Sequence, residues 1–234
     1  MPIRPALPAA AAALLVFLTA CGGGSSSQTA EDNGASTPSQ SESSGTVSCD
    51  YPSAPQGATR KVTPPPQTPD VSGTVDVTMK TSIGTLDATL DADKTPCTVN
   101  SFVSLAKQGY FDNTPCHRLT TQPSSIFVLQ CGDPSGTGTG GPGYTIPDEL
   151  SGHETYGAGT LAMAKTDQPN SGGSQFFIVY QDTPLPPDYT VFGQVDPAGV
   201  KAVQKIAKKG TDNANGPGDG HPTVSVTLDS VTAG

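Results

Sequence analysis

Asn170-Ser171-Gly172-Gly173-Ser174-Gln175-Phe176-Phe177-Ile178 runs a pliant turn straight into a strand. Side chains alternate along a strand, so Gln175 and Phe177 share one face and Phe176 and Ile178 the other. An amide beside a large aromatic ring suits recognition of a partly apolar ligand. A buried strand whose Gln merely closes a loop would read the same way. The flanking sequence has to decide.

On either side, the apolar positions recur with a period of two over short runs. Val75, Val77 and Met79, then Leu86, Ala88 and Leu90, flank a Ser82-Ile83-Gly84 turn and predict a hairpin with one buried face. Further strands are expected around 116–119, 127–131, 160–165, 175–180, 191–195 and 223–228. Two helices interrupt them. The first has Thr95 as cap, Pro96 at its first position, Val99, Phe102, Val103 and Ala106 as the inner stripe, and Gly109 as the stop. The second repeats this grammar with Asp196, Pro197, Val200, Val203, Ala207 and Gly210. Pattern alone therefore gives a mainly β domain with two helices.

Four segments around the opening stretch carry a resemblance. They are Cys116-His117-Arg118-Leu119, the run Ser125-Ile126-Phe127-Val128-Leu129-Gln130-Cys131-Gly132-Asp133, the glycine-rich loop Gly136 to Gly143, and Val191-Phe192-Gly193. In this order, with Gln175-Phe176-Phe177, they resemble the cyclophilin family of peptidyl-prolyl cis-trans isomerases, from about Val75 to the C-terminus. The resemblance implies a closed eight-stranded antiparallel barrel capped by two α-helices. It also implies isomerisation of X–Pro bonds, with proline-containing peptides and exported proteins as partners and no cofactor or metal.

The same resemblance assigns the site. Arg118, Phe127 and Gln130 take the catalytic positions, and His117 is structural. Val128, Phe177 and Leu185 would line the proline socket with Phe127. Gly138, Ala164, Lys165, Thr166, Gln175 and Tyr189 complete the substrate contacts. The chain departs from the pattern in places. Val128 stands where Met is usual, Lys165 where Asn is usual, Pro184 where many members have Trp, and Tyr189 where His is common. The loop after Arg118 is longer, with Thr120-Thr121-Gln122-Pro123-Ser124 near the groove. A cyclophilin-like module that binds proline-containing segments with little turnover is the alternative reading.

Two motif matches are spurious. Gly136-Thr137-Gly138-Thr139-Gly140-Gly141 fits G-x-G-x-x-G, but Pro142, Gly143 and Pro147 follow in place of the helix a dinucleotide needs. Ser174 lacks the G-x-S-x-G context of a nucleophile elbow.

The N-terminal part has another composition. Arg4, an apolar run from Ala9 to Leu18, and Leu18-Thr19-Ala20-Cys21 resemble a bacterial lipoprotein signal peptide over 1–21, with Cys21 as the lipidated residue. That implies an extracytoplasmic protein anchored to the cell membrane by lipid. Residues 22–70 are rich in Gly, Ser and Pro and read as a disordered tether spanning roughly 40 Å r.m.s.. The domain is placed at 71–234. A net charge of −9 with no basic stripe argues against nucleic acid, and a monomer is expected. Cys49, Cys97, Cys116 and Cys131 make an even set that favours disulfides over zinc, since no CxxC spacing occurs. Four cysteines allow three pairings. Cys116 and Cys131 lie on the strands flanking the Arg118–Phe127 loop, so the expected pairs are Cys116–Cys131 and Cys49–Cys97.

Overall fold

The computed structural model describes residues 47–234. The expected signal peptide, its Cys21 and the tether up to residue 46 lie outside the described residues.

The elements in chain order are β1 (Ser53–Ala58), β2 (Thr74–Thr81), β3 (Gly84–Asp91), α1 (Pro96–Lys107), β4 (Thr114–Pro115), β5 (Arg118–Thr120) and β6 (Val128–Cys131). After them come β7 (Pro142–Tyr144), β8 (Thr160–Met163), β9 (Phe176–Val179), β10 (Val191–Val195), α2 (Pro197–Ala207), β11 (Asp219–Gly220) and β12 (Thr227–Ala233). β2 and β3 form the expected hairpin, paired from Thr74↔Asp91 to Thr81↔Gly84. Val77, Met79, Leu86, Ala88 and Leu90 are all buried on its inner face. The last strand begins later than its sequence signal, at Thr227 rather than 223.

One antiparallel sheet holds ten strands in the order β11-β5-β6-β9-β8-β10-β3-β2-β12-β4, and β1 pairs separately with β7. β4 and β5 are separated in the chain by only Cys116 and His117, yet they lie near opposite ends of that order. The sheet must therefore curl until its ends approach. This corrects the closed eight-stranded barrel: among the described residues no backbone ladder joins β4 to β5 or β11. The seam is held covalently instead, by the disulfide Cys116–Cys131 between the β4–β5 corner and the end of β6.

α1 crosses the concave side. Its Phe102 stacks on Phe111 at 4.9 Å and meets Phe176 and Phe192 at 5.5 Å, so one aromatic ring ties the helix to two central strands. Pro96 starts the helix as expected, but Thr95 makes no side-chain cap. Its hydroxyl donates to the Asp91 carbonyl, and Glu149 caps in its place, accepting from the Cys97 and Thr98 amides at 2.9 and 2.8 Å. A carboxylate at a helix N-terminus satisfies orphan donors and complements the dipole. α2 behaves as its sequence predicts, with Asp196 Oδ1 accepting from the Gly199 amide at 2.7 Å.

The tether boundary at residue 70 needs correction too. Cys49 is buried and bonded to Cys97, and its amide donates to the Gln67 carbonyl. Tyr51 donates to the Cys97 carbonyl, and Asn100 donates both to Tyr51 and to the Pro66 carbonyl. Arg60 Nη1 donates to the carbonyls of Tyr110 and Asp112. Residues 47–70 lack a core of their own but are fastened onto α1 and its flanks. Replacing both Cys49 and Cys97 by Ser opens a 48-residue loop and is expected to lower unfolding stability by about 2–4 kcal/mol. Urea titration measures that loss, and limited proteolysis should then cut first within 47–70.

Candidate active site

Strand alternation divides β9 between two apolar layers. Phe176 and Ile178 enter the main core beneath α1. Phe177 and Val179 face the other way and join Val128, Tyr156 and Ala162 in a smaller cluster, with Ala164, Leu185, Tyr189 and Val191 packed on it. This second layer floors a cavity of about 160 Å³ walled by Arg118, Ile126, Val128, Gln130, Ala164, Lys165, Phe177, Leu185 and Tyr189. The floor is apolar and the rim carries one guanidinium.

β5 and β6 position that rim through the register Arg118↔Gln130. Arg118 donates from Nε and Nη2 to both carboxylate oxygens of Asp219, at 2.9 and 2.6 Å, and from Nη1 to Gln130 Oε1 at 3.3 Å. Gln130 Nε2 donates to Gln175 Oε1, and Gln175 Nε2 in turn donates to the carbonyls of Gly138 and Gly140. The chain of bonds thus runs from Asp219 on β11 to the glycine-rich loop. Asp219's carboxylate raises the Arg118 pKa still further above its ordinary value.

Most expected site residues converge, but they do so in two places. Gly138, Thr166 and Gln175 wall a neighbouring cavity of about 320 Å³, which shares Gln130, Ala164 and Lys165 with the first. Phe127 is not in either. It is buried edge-on to Tyr180 at 6.0 Å, beside Thr121, Gln122 and the end of α2. Alternation is the reason: Ile126, Val128 and Gln130 share a face, and Phe127 must take the opposite one. Ile126 stands at the socket where Phe127 was expected. A larger depression of about 790 Å³ lies between α2 and the β2–β3 hairpin, but Arg118 and the apolar floor are elsewhere.

The sequence reading missed three further residues that shape the rim. Asp188 pairs with Lys165 Nζ at 3.0 Å, which raises the lysine pKa and holds the ammonium 5.8 Å from the Tyr189 ring centre. Tyr156 donates to the Tyr189 carbonyl and accepts from the amides of Asp188 and Tyr189, so it fastens the 185–189 loop. Asp219 is the third. It reaches Arg118 because the longer loop after β5 packs on the 216–220 turn, with Asp219↔Thr120 in register and the Thr121 amide bonded to the Gly218 carbonyl. A Cβ on Gly218 would run into the Thr121 carbonyl, so this approach requires glycine.

His117 is buried, and among the described residues neither ring nitrogen has a hydrogen-bond partner. Burial lowers its pKa, so it packs as a neutral ring. A Cβ at Gly138 would approach its Cδ2 to 3.2 Å, so the ring buttresses the glycine-rich loop.

The Arg118–Asp219 pair has a pH signature. The Arg118 hydrogen bonds lower the Asp219 pKa below the ordinary carboxylate range. A depressed folded pKa means the pair's contribution is complete above the ordinary carboxylate value and is lost as pH falls through the lowered one. Asp219→Asn removes the charge at all pH values. Because misplacing a reacting group costs up to about 100-fold, we expect kcat/KM on an Ala-Pro peptide to fall about tenfold, with the acid limb due to Asp219 absent from the variant's profile and Asp219→Glu recovering part of the loss. The pH–rate profile of the variant checks this.

An arginine over an apolar socket, fastened on a curled antiparallel sheet with two helices, defines a class. The family model described as cyclophilin type peptidyl-prolyl cis-trans isomerase matches residues 75–233, and the chain belongs to that family. It is 46% identical over 199 residues to the probable peptidyl-prolyl cis-trans isomerase B of Mycobacterium tuberculosis, a match covering 79% of this chain and 63% of that protein. The corresponding Mycobacterium leprae protein is 45% identical, with 66% of its length covered. The chain thus spans just under two thirds of these relatives. A crystal structure of a Cryptosporidium parvum cyclophilin type peptidyl-prolyl cis-trans isomerase superposes with a TM-score of 0.61 at 28% identity, covering 69% of this chain and 98% of that one. A second structure of that protein, obtained in the presence of the dipeptide Ala-Pro, gives a TM-score of 0.59 at 29% identity, covering 67% of this chain and 97% of that one.

Proposed function

We propose that the chain is a peptidyl-prolyl cis-trans isomerase acting on X–Pro bonds in proline-containing peptides and exported proteins. Rotation about such a bond must break amide resonance, with a barrier of about 20 kcal/mol. No proton, nucleophile or metal is needed. A donor that bonds the prolyl nitrogen once it leaves the amide plane lowers the barrier, because that bond is weaker in either planar ground state. Arg118 supplies the donor. Three of its N–H groups are engaged by Asp219 and Gln130, which fix the guanidinium plane and leave the rest for substrate. Val128, Phe177 and Leu185, with Ile126, hold the proline ring, and Gln130 orients the peptide.

The observation that carries this reading is the placement of Arg118 at the rim of the 160 Å³ apolar socket. A protease-coupled assay on a short Ala-Pro peptide tests it. Turnover with enzyme far below substrate concentration is expected; its absence refutes the activity.

The location belongs to the same proposal. Leu18-Thr19-Ala20-Cys21 supports lipidation at Cys21 and attachment to the outer face of a cell membrane, with residues 22–46 as the spacer. The domain acts there as a monomer. Mass spectrometry of the mature N-terminus should find lipidated Cys21, and an unmodified terminus elsewhere contradicts it.

A further inference from the structure

Residues 53–59 lie outside the family segment 75–233, yet they reach the substrate groove. β1 lies against β7, from Ser53↔Tyr144 to Ala58↔Pro142. The Thr59 amide donates to the Gly141 carbonyl, the Gly141 amide donates to Thr59 Oγ1, and the Thr145 amide donates to the Pro52 carbonyl. Gly143 has φ +87° and allows the approach, since a Cβ there would stand 2.9 Å from the Ala58 Cβ. Upstream, the Cys49–Cys97 disulfide fixes where the strand begins. The similarity to the Mycobacterium tuberculosis protein covers 79% of the chain, more than the family segment occupies, so likeness to that relative continues outside the family domain.

The consequence lies in the second cavity. Ala54 and Gln56 line it together with Thr166 and Ser171, and Gln130, Ala164 and Lys165 belong to both this cavity and the proline socket. A peptide whose proline fills the socket continues directly into the second space. Among the described residues of its lining the only charge is Lys165, already paired with Asp188; the amides of Gln56, Gln130 and Gln175 and several hydroxyls share the walls with Ala54, Pro142 and Ala164.

We propose that β1 is part of the substrate site, with Gln56 reading an uncharged polar side chain next to the proline. This rests on the isomerase reading above. Selectivity then depends on a segment that the family domain does not include. Basic side chains are disfavoured by the Lys165 ammonium, and apolar ones leave the Gln56 amide without a hydrogen-bond partner.

The experiment uses the full chain and two substrates: a blocked Ala-Pro dipeptide amide that fills only the socket, and hexapeptides carrying Gln, Leu or Lys beside the proline. Gln56→Trp, which fills the cavity, should lower kcat/KM for the Gln hexapeptide about tenfold, mainly through KM, and change the dipeptide less than about twofold. Gln56→Ala should shrink the preference for Gln over Leu and Lys by roughly threefold or more. Equal effects on dipeptide and hexapeptide, or none on either, overturn the proposal. Wild-type protein that turns over neither substrate refutes the isomerase reading instead. Amide chemical-shift mapping then still tests the subsite: the Gln hexapeptide should move Gln56 and Gly140 where the dipeptide does not, and shifts confined to the socket count against it.

Discussion

Arg118→Ala is expected to lower kcat/KM on an Ala-Pro peptide by about 10²- to 10³-fold, the usual cost of removing one preorganised transition-state donor. The loss should fall on kcat more than on KM, because the guanidinium meets the prolyl nitrogen only in the twisted state. The socket floor of Val128, Phe177 and Leu185 belongs to a separate apolar layer and should still bind the proline ring. Arg118→Lys keeps the charge but not the planar fork that grips both Asp219 oxygens, so it should resemble Ala more than wild type. The variant leaves Asp219 without its cation and with only the Asn215 amide as a side-chain donor, so circular dichroism and a melting curve must accompany the kinetics. Activity unchanged in Arg118→Ala would remove the arginine from the mechanism.

The largest effect on stability is expected at Asp133. This residue is 0% exposed and organises the glycine-rich loop from within. Its carboxylate accepts from the Ser135 amide and hydroxyl at 2.8 and 2.7 Å, from the Gly138 amide at 2.8 Å and from the Gly140 amide at 3.0 Å. Burial pushes its pKa up, but the bonds from Ser135, Gly140 and Gly138 outweigh that and hold it below the ordinary range. Asp133→Ala leaves several donors without a partner, each costing about 1–3 kcal/mol where it stays dry, and we expect a total loss of about 3–5 kcal/mol. Asp133→Asn keeps the shape and one acceptor and should lose less than half of that. Because the folded pKa is depressed, wild-type stability from this residue is complete above the ordinary carboxylate value and fades as pH falls through the lowered one. Urea titrations of wild type and both variants at neutral and acid pH check the magnitude and the sign. The gap between wild type and Asp133→Ala should narrow in acid.

What could be read from the sequence was whatever depends on near neighbours. The hairpin, the burial of Phe176 and Ile178 away from Phe177, and the Asp196 cap each follow from a period or a spacing within a few residues. The Cys116–Cys131 bridge also forms as the flanking strands indicated, and Cys49–Cys97 is the pair that this leaves. Long-range partners were not legible. Glu149 caps α1 from about fifty residues away, and the Thr95 signal that suggested a local cap is used on the Asp91 carbonyl instead. Asp219 meets Arg118 across 101 residues through the turn Gly216-Pro217-Gly218-Asp219-Gly220, whose own sequence names no partner for the carboxylate. Residues 47–70 looked unable to order because they hold no core. Their order comes instead from a disulfide and from the Pro66 carbonyl and Tyr51 hydroxyl, which accept from Asn100. Phe127 was misplaced although the information was present. Strand alternation through Val128 and Gln130 already put Ile126 on the groove side.

The central claim is that Arg118 and its socket accelerate rotation about an X–Pro bond and do more than bind proline-containing segments. NMR exchange spectroscopy on a short Ala-Pro peptide, with protein far below peptide concentration, measures both together. The account predicts cross-peaks between the cis and trans resonances whose build-up rate rises in proportion to protein concentration and collapses in Arg118→Ala, while peptide shifts at the socket persist in both proteins. Socket shifts in the wild type without cis–trans exchange would contradict it and leave a binding module.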